Sequence, residues 1–277
     1  MVARRILVVV GLLAAHAAGQ TSVCLHPASF TVEAGRAASL RVQQAQGEGW
    51  ADTNWPASVE WMFVRVAGTQ ANYDAESAPK PDGQGRVSIT PVAAGVALIG
   101  LDMAADERAW EPAAIAAFAA KAGRADLCPN APTPVRHVRS ASALITVTEP
   151  ASPAVQSAAT GKSGLAVEIR PLMDPTAMRP EGDIPVRVYL GGEGAAGAVV
   201  RATHRASGAA VVVKADGKGI AALRIDQPGE WLVEFHVLRE ARHEGGPMEA
   251  FSGTLTFEAP PRPAGEDASA LKPEVAP

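Results

Sequence analysis

Aromatic residues make up only 5% of the 277-residue chain, and cysteine occurs twice. The aromatic shortage, set against a hydrophobic content of 47% rich in Ala and Val, means cores of small aliphatic side chains, which suit strands packed face to face. After the first residues no apolar run approaches the roughly 18 that a membrane-spanning helix needs, so no transmembrane segment is expected. Lys and Arg do not cluster and do not interleave with aromatics, so the basic footprint and stacking platform for nucleic acid are missing. A Gly-x-Ser-x-Gly elbow, a His-Glu-x-x-His helix and a phosphate-cradling glycine loop are also absent. Strands rich in Ala and Val supply no matched acid and base, and the expectation is a protein that is not an enzyme.

What is present begins with an export signal over residues 1–17. Arg4 and Arg5 give the positive start, Ile6 to Ala15 the apolar run, and Ala15-His16-Ala17 a small-residue cleavage site. The arginine pair lacks the fuller context of a twin-arginine signal, and Ser22-Val23 is a poor lipid-attachment context for Cys24, which favours plain secretion to the periplasm or beyond. Losing the leader takes two of the 25 basic residues and none of the 29 acidic ones, moving the net charge from −4 to about −6. In an oxidising compartment Cys24 and Cys128 make one disulfide most simply, and closing a loop of about 100 residues is worth roughly 4–5 kcal/mol in the chain-entropy model. The rival reading, two thiols on a metal, lacks close spacing.

Hydropathy patterning predicts a mainly β chain of two sandwich-like domains, immunoglobulin-like or transthyretin-like. The first, residues 18–149, opens with a hairpin-like pair, Phe30 to Val32 and Leu40 to Val42 about the Glu33-Ala34-Gly35 turn. Val59 to Val66 is a strand with both faces partly buried, and Val87 to Ile89, Gly95 to Met103 and Ser140 to Thr148 follow as strands. Gly47 to Pro56 reads as a polar loop carrying Trp50 and Trp55. The period changes only once, at Trp110-Glu111-Pro112, where Ile115, Phe118 and Ala122 recur at helical spacing and predict a short helix near 112–122.

Residues 150–163 have the Pro, Ala, Ser, Thr and Gly composition of a flexible linker. Residues 164–259 then read as a seven-stranded sandwich: Leu165–Arg170, Ile184–Leu190, Ala198–Arg205, Ala209–Lys214, Gly219–Ile225, Glu230–Leu238 and Phe251–Glu258. Asp216-Gly217-Lys218-Gly219 and Pro228-Gly229 supply turn chemistry between them. Asp82 and Asp216 stand in glycine-rich turns as Asx residues. The tail, 260–277, is Pro, Ala and acid, a composition that does not build a core.

Three stretches give the chain a family likeness. His26-Pro27 runs through Phe30, Gly35 and Leu40. The helix Pro112 to Ala122 is followed by the basic Arg136-His137-Val138-Arg139-Ser140. Leu165 to Ile169 leads through Pro185 to Val188, Gly197 to Val200 and the two turns above to Trp231-Leu232. In these features the chain resembles the domain-of-unknown-function 4198 family of exported bacterial proteins, some associated with periplasmic nickel or cobalt uptake. The resemblance implies a fold and a compartment, and points to a metal-uptake system or another cell-envelope protein as partner. In the family a histidine at the mature start, followed by an aromatic-containing motif, is inferred to hold metal. Here His16 stands within the cleavage site, no tryptophan follows it, and Cys24 occupies that stretch.

Two functional readings remain. The first is a metal-handling accessory taking nickel, cobalt or another divalent transition metal on His204, His236 and His243, with His236 facing outward beside Glu234 and a neighbouring strand bringing His204 alongside. The second is an envelope module that captures a protein or glycan through Trp50 and Trp55. The bland alternatives are scattered surface histidines and tryptophans packed over a sheet edge.

Overall fold

The computed structural model describes residues 22–261 apart from 47–48, 57–58, 150–155 and 179–181. The export signal, most of the tail and part of the 150–163 stretch lie outside the described residues. The strands form three sheets. A four-stranded upper sheet contains β1 (Val23–Pro27), β3 (Ala38–Gln46), β4 (Gly49–Thr53) and β7 (Arg86–Ile89). A lower four-stranded sheet contains β11 (Val167–Pro171), β12 (Gly182–Leu190), β13 (Glu193–Gly194) and β16 (Ile220–Ile225).

Between them runs one ten-stranded sheet. It is built from β2 (Thr31–Glu33), β5 (Val59–Val66), β6 (Thr69–Asp74), β8 (Gly95–Trp110), β9 (Thr133–Thr148), β10 (Gln156–Ser157), β14 (Val199–His204), β15 (Ala210–Lys214), β17 (Gly229–Arg239) and β18 (Met248–Ala259). Its path is β15-β14-β17-β18-β9-β8-β5-β6, with β2 added on β9 and β10 on β8. The β18–β9 ladder is parallel, from Met248 opposite Val135 to Thr256 opposite Ala143, and joins the two halves of the chain into one sheet.

Alternation along these strands sends side chains to two faces, and both are covered. The upper sheet packs Leu25, Leu40, Val42, Val87 and Ile89 onto Met62, Val64, Ile99, Leu101, Ala143 and Ile145. The lower sheet packs Ile169, Val186, Val188 and Leu223 onto the opposite face, against Trp231, Phe235, Leu255 and Phe257 and reaching Phe63, Leu98 and Leu144. β9 therefore serves both cores, which is why its second half reads as an almost unbroken apolar run. Phe63 lies flat over Gly100, where a Cβ would overlap the ring. The single helix among the described residues, α1 (Pro112–Lys121), has proline in its first turn and closes a third core of Trp110, Ile115, Phe118, Val135, Leu238 and Ala250.

All seven C-terminal strands lie where the alternation places them. The expected opening hairpin does not form: β2 pairs in parallel with β9 in the long sheet, whereas β3 pairs with β1 and β7 in the upper one, so the Gly35 turn crosses between layers. The Gly47 to Pro56 stretch is also not an open loop, because Gly49–Thr53 is β4, paired with β3. Within the stretch read as a linker, Ala158 and Ala159 are buried in the lower core, and Gln156–Ser157 extends the long sheet beside β8.

Candidate functional site

The histidines expected to gather do not. His204 lies opposite Trp231 in the β14–β17 ladder, five positions from His236, and its side chain points to the other face of the sheet. Five residues along a strand span about 17 Å. His204 is a turn brace: Nδ1 pairs with Ser207 Oγ at 2.8 Å, and Nε2 donates to the Pro228 carbonyl at 3.0 Å. His243 is exposed in the loop between β17 and β18. His236, expected outside, is only 3% exposed, because α1 lies over its face and Phe118 meets its ring edge-on at 5.2 Å. Among the described residues no three His, Cys, Asp or Glu side chains come together as a metal-holding group.

The cysteines are a second correction. Cys24 is buried in β1 and Cys128 is exposed beyond α1, its thiol donating to the Ala125 carbonyl at 3.3 Å, and both are free. Burial pushes the Cys24 thiol up to about 12, leaving it protonated and unreactive. The tryptophans separate as well. Trp55 is 8% exposed and belongs to the upper core, while Trp50 is partly covered, with the Arg205 guanidinium 6.0 Å from its ring centroid. Arg205 in turn pairs with Glu230 at 2.9 Å and donates to Gln43 at 2.6 Å, tying β14 to the upper sheet. Asp82 and Asp216 accept backbone N–H groups within their turns, as their Asx chemistry predicts.

Polar groups converge elsewhere, on the upper face where β8, β9, β18 and β17 run side by side. The β8–β9 register slips between Met103 and Asp106, so Ala104 and Ala105 stand opposite Val138 alone. Such a bulge bends the strand and re-aims its side chains. It floors a cleft of about 340 Å³ under the edge of the upper sheet. Met103, Val23, Val42 and Pro56 form apolar walls, while Gln44, Asn54, Thr53, Asp106 and Arg139 supply polar groups.

Arg139 is the cleft's one cation. Its Nε is buried with no hydrogen-bond partner. Burial pulls its pKa below the ordinary arginine value, opposed by the Asp106 carboxylate. That carboxylate already holds Arg108 at 3.1 Å.

Behind Arg139 lies a closed polar chain. Ser252 stands opposite Arg139 in the β18–β9 ladder. Its hydroxyl meets His137 Nε2 at 2.8 Å and His236 Nδ1 at 3.3 Å. His236 Nε2 reaches Ser22 Oγ at 3.4 Å and Glu234 Oε2 at 3.5 Å, the latter in ion-pair range but long for a hydrogen bond. Trp110 and Phe118 seal His137, and its Nδ1 is buried without a partner. Burial, then the charges of Arg139 and its neighbours, hold His137 well below its usual pKa, so it is neutral. Burial pushes Glu234 up, but its contact with His236 and the charges of Lys121 and Arg201 outweigh that and leave it lowered.

Of the residues first singled out, His236 and the Glu234 beside it belong to this site. Arg139, Ser252 and Asp106 were missed. Their signal is parity: His137 and Arg139 share one face of a strand that continues as Ala141 and Ala143, and Ser252, Thr254 and Thr256 share one face of a strand that is otherwise core.

Residues 108–239 match the family model described as "Domain of unknown function (DUF4198)", a stretch that holds α1, Arg139, His137, Glu234 and His236 but neither Gln44 nor Asn54. No curated protein matches the chain. Among solved structures, murine CEACAM1b is 10% identical over 86% of this chain and 98% of its own, with a TM-score of 0.21. A tetra-tandem repeat from the extending region of a large adhesion protein is 11% identical over 86% of this chain and 49% of its own, with a TM-score of 0.21. Salmonella alpha-2-macroglobulin reacted with methylamine is 11% identical over 88% of this chain and 15% of its own, with a TM-score of 0.25. At such scores these likenesses carry no argument about fold or function. The match takes in the helix, the basic stretch and most of the C-terminal features that gave the sequence its likeness, though not His26 to Leu40, and supports the domain-of-unknown-function 4198 family over residues 108–239.

Proposed function

We propose that the protein is an exported, non-catalytic binding protein whose ligand occupies the cleft over Arg139. Export rests on the leader of Arg4, Arg5 and the Ile6 to Ala15 run. The two facing layers on either side of the long sheet support reading each half as a sandwich of immunoglobulin-like or transthyretin-like kind.

The single observation that carries the binding reading is an arginine held in a concave site with Nε unpartnered, beside a backbone bulge and several uncommitted polar side chains. Arg139 is only partly buried, so its Nη groups stay free to donate to an acceptor that enters the cleft, while the sealed Nε leaves the side chain short of a protein partner. Ligand sites are concave and carry a few placed polar groups; this cleft is concave, with apolar side chains on its walls and a more polar lining than most such sites. The hydroxyl beside the histidine pair is sealed under α1, which favours binding over acyl chemistry.

The test is thermal unfolding of the mature protein against a panel of small acids, amino acids, sugars and divalent metal salts, repeated on Ala105→Trp, which fills the mouth of the cleft from an exposed position. A true ligand at a hundredfold excess over its Kd stabilises by about 2.7 kcal/mol and raises Tm by several degrees. The expected result is protection by at least one small molecule that Ala105→Trp abolishes. Protection that survives the substitution, or none from the whole panel, would overturn the proposal.

A further inference from the structure

We infer that the cleft takes a compact organic carboxylate, with the Arg139 guanidinium gripping its two oxygens. This rests on the cleft being the ligand site and adds the chemical class of the occupant.

The charge pattern selects the class. Arg139 lines the cleft, and no hydrogen bond contributes to its electrostatics, only burial and the charges of Asp106 and Arg108. Its Nε is buried without a partner, which leaves the two Nη groups as the donors for a ligand. Together they form a planar fork whose spacing matches the two oxygens of a carboxylate. A neutral sugar offers hydroxyl acceptors but brings no charge to meet the partly buried guanidinium. A phosphate dianion meets the opposite difficulty. There is one cation to receive it, Asp106 lines the same cleft, and Arg108 is already taken by Asp106 at 3.1 Å. The nearby His137 is held neutral and adds no second charge. A single negative charge balances this site, and two do not.

Size and walls refine the choice. At about 340 Å³ the cleft stands near the lower limit for small-molecule sites, which run from about 300 to 1,000 Å³. Val23, Val42 and Met103 suit a short branched or ring-bearing apolar arm, and the Gln44 and Asn54 carboxamides can bond to a substituent on it.

The experiment is a set of isothermal and NMR titrations of the mature protein with three probes: isovalerate, its uncharged amide isovaleramide, and inorganic phosphate. Isovalerate should bind at least about tenfold more tightly than the amide, since hydrogen bonds to a charged group are the stronger kind. Arg139→Gln should remove that difference. Asp106→Asn removes the competing negative charge and should tighten isovalerate binding severalfold. That gain is one that a merely structural Arg139 does not predict, and it remains readable if Arg139→Gln fails to fold.

Equal binding of the acid and the amide in the cleft would overturn the carboxylate inference and leave the binding reading standing. So would tighter binding of phosphate. Absence of isovalerate binding, or isovalerate binding indifferent to both substitutions, would also overturn the inference, whereas the binding reading fails only if no small molecule of the wider panel is displaced by Ala105→Trp.

Discussion

Two buried polar clusters sit on opposite faces of the long sheet, and they are finished differently. On the lower face, Asp102 accepts the Ser140 hydroxyl and the Ala166 N–H, Ser140 Oγ accepts the Val167 N–H at 3.0 Å, and Glu168 accepts the N–H groups of Ser163 at 2.7 Å and Gly164 at 3.1 Å. These acceptors are met by the start of β11, and the cluster stitches that segment to β8 and β9. On the upper face, His137 Nδ1, Glu234 Oε2 and Arg139 Nε are all left without hydrogen-bond partners. Native interiors satisfy most of their polar groups, so this cluster is less completely finished than the lower one, and Arg139 is the member that lines the cleft. The first cluster is structural; the second borders the proposed ligand site.

The largest expected effect tests the satisfied cluster. Glu168 is 1% exposed, and Glu168→Ala strands the buried Ser163 N–H and removes the acceptor of the Gly164 N–H. Stability measured by urea unfolding should fall by roughly 3 kcal/mol. A loss below about 1 kcal/mol would mean that this face is no better finished than the other.

The two clusters should also respond to acid with opposite signs. Burial, partly offset by its hydrogen bonds, pushes Asp102 up to about 6 from an ordinary value of 3.8. A carboxyl raised on folding contributes stability that is full below about 3.8 and disappears as pH rises through about 6. Asp102→Asn should therefore cost up to roughly 2 kcal/mol more at pH 4.5 than at pH 7.5 relative to the wild type. His137 is held well below 6.5, so its contribution is present above 6.5 and is lost as pH falls. His137→Leu removes that loss together with an unmet nitrogen, and at pH 7 it should change stability by less than about 1 kcal/mol. Urea midpoints of both variants across pH 4–8 separate the two slopes.

The smallest effect concerns the thiols. A soluble disulfide reagent should label one thiol per native molecule, the exposed Cys128, and reach Cys24 only on unfolding. Equal native reactivity would contradict the burial of β1.

How legible this was in the sequence follows from which forces are local. The C-terminal strands alternate cleanly and are separated by turns such as Asp216 to Gly219, so each was readable from its own residues. The join between the halves was not, because the parallel β18–β9 ladder links residues over a hundred positions apart and leaves no turn to mark it. The misreading of β2 and β3 as a hairpin has the same origin: a glycine turn specifies a reversal, but not whether the next strand stays in the same layer. His236 was placed outside by correct parity and wrong context, since α1 and β1 cover that face. Arg139 stood in plain view within Arg136 to Ser140, yet only the bulge at Ala104 and Ala105 turns it into a site.

The central claim is that the unfinished cluster on the upper face is where the ligand binds. Amide chemical-shift mapping of the mature protein titrated with isovalerate tests it most directly. The account predicts saturable shifts concentrated at Ala104, Ala105, Asp106 and Arg139, with Ser163 to Val167 on the opposite face unmoved. Shifts centred on the lower face, or spread evenly without saturation, would contradict it.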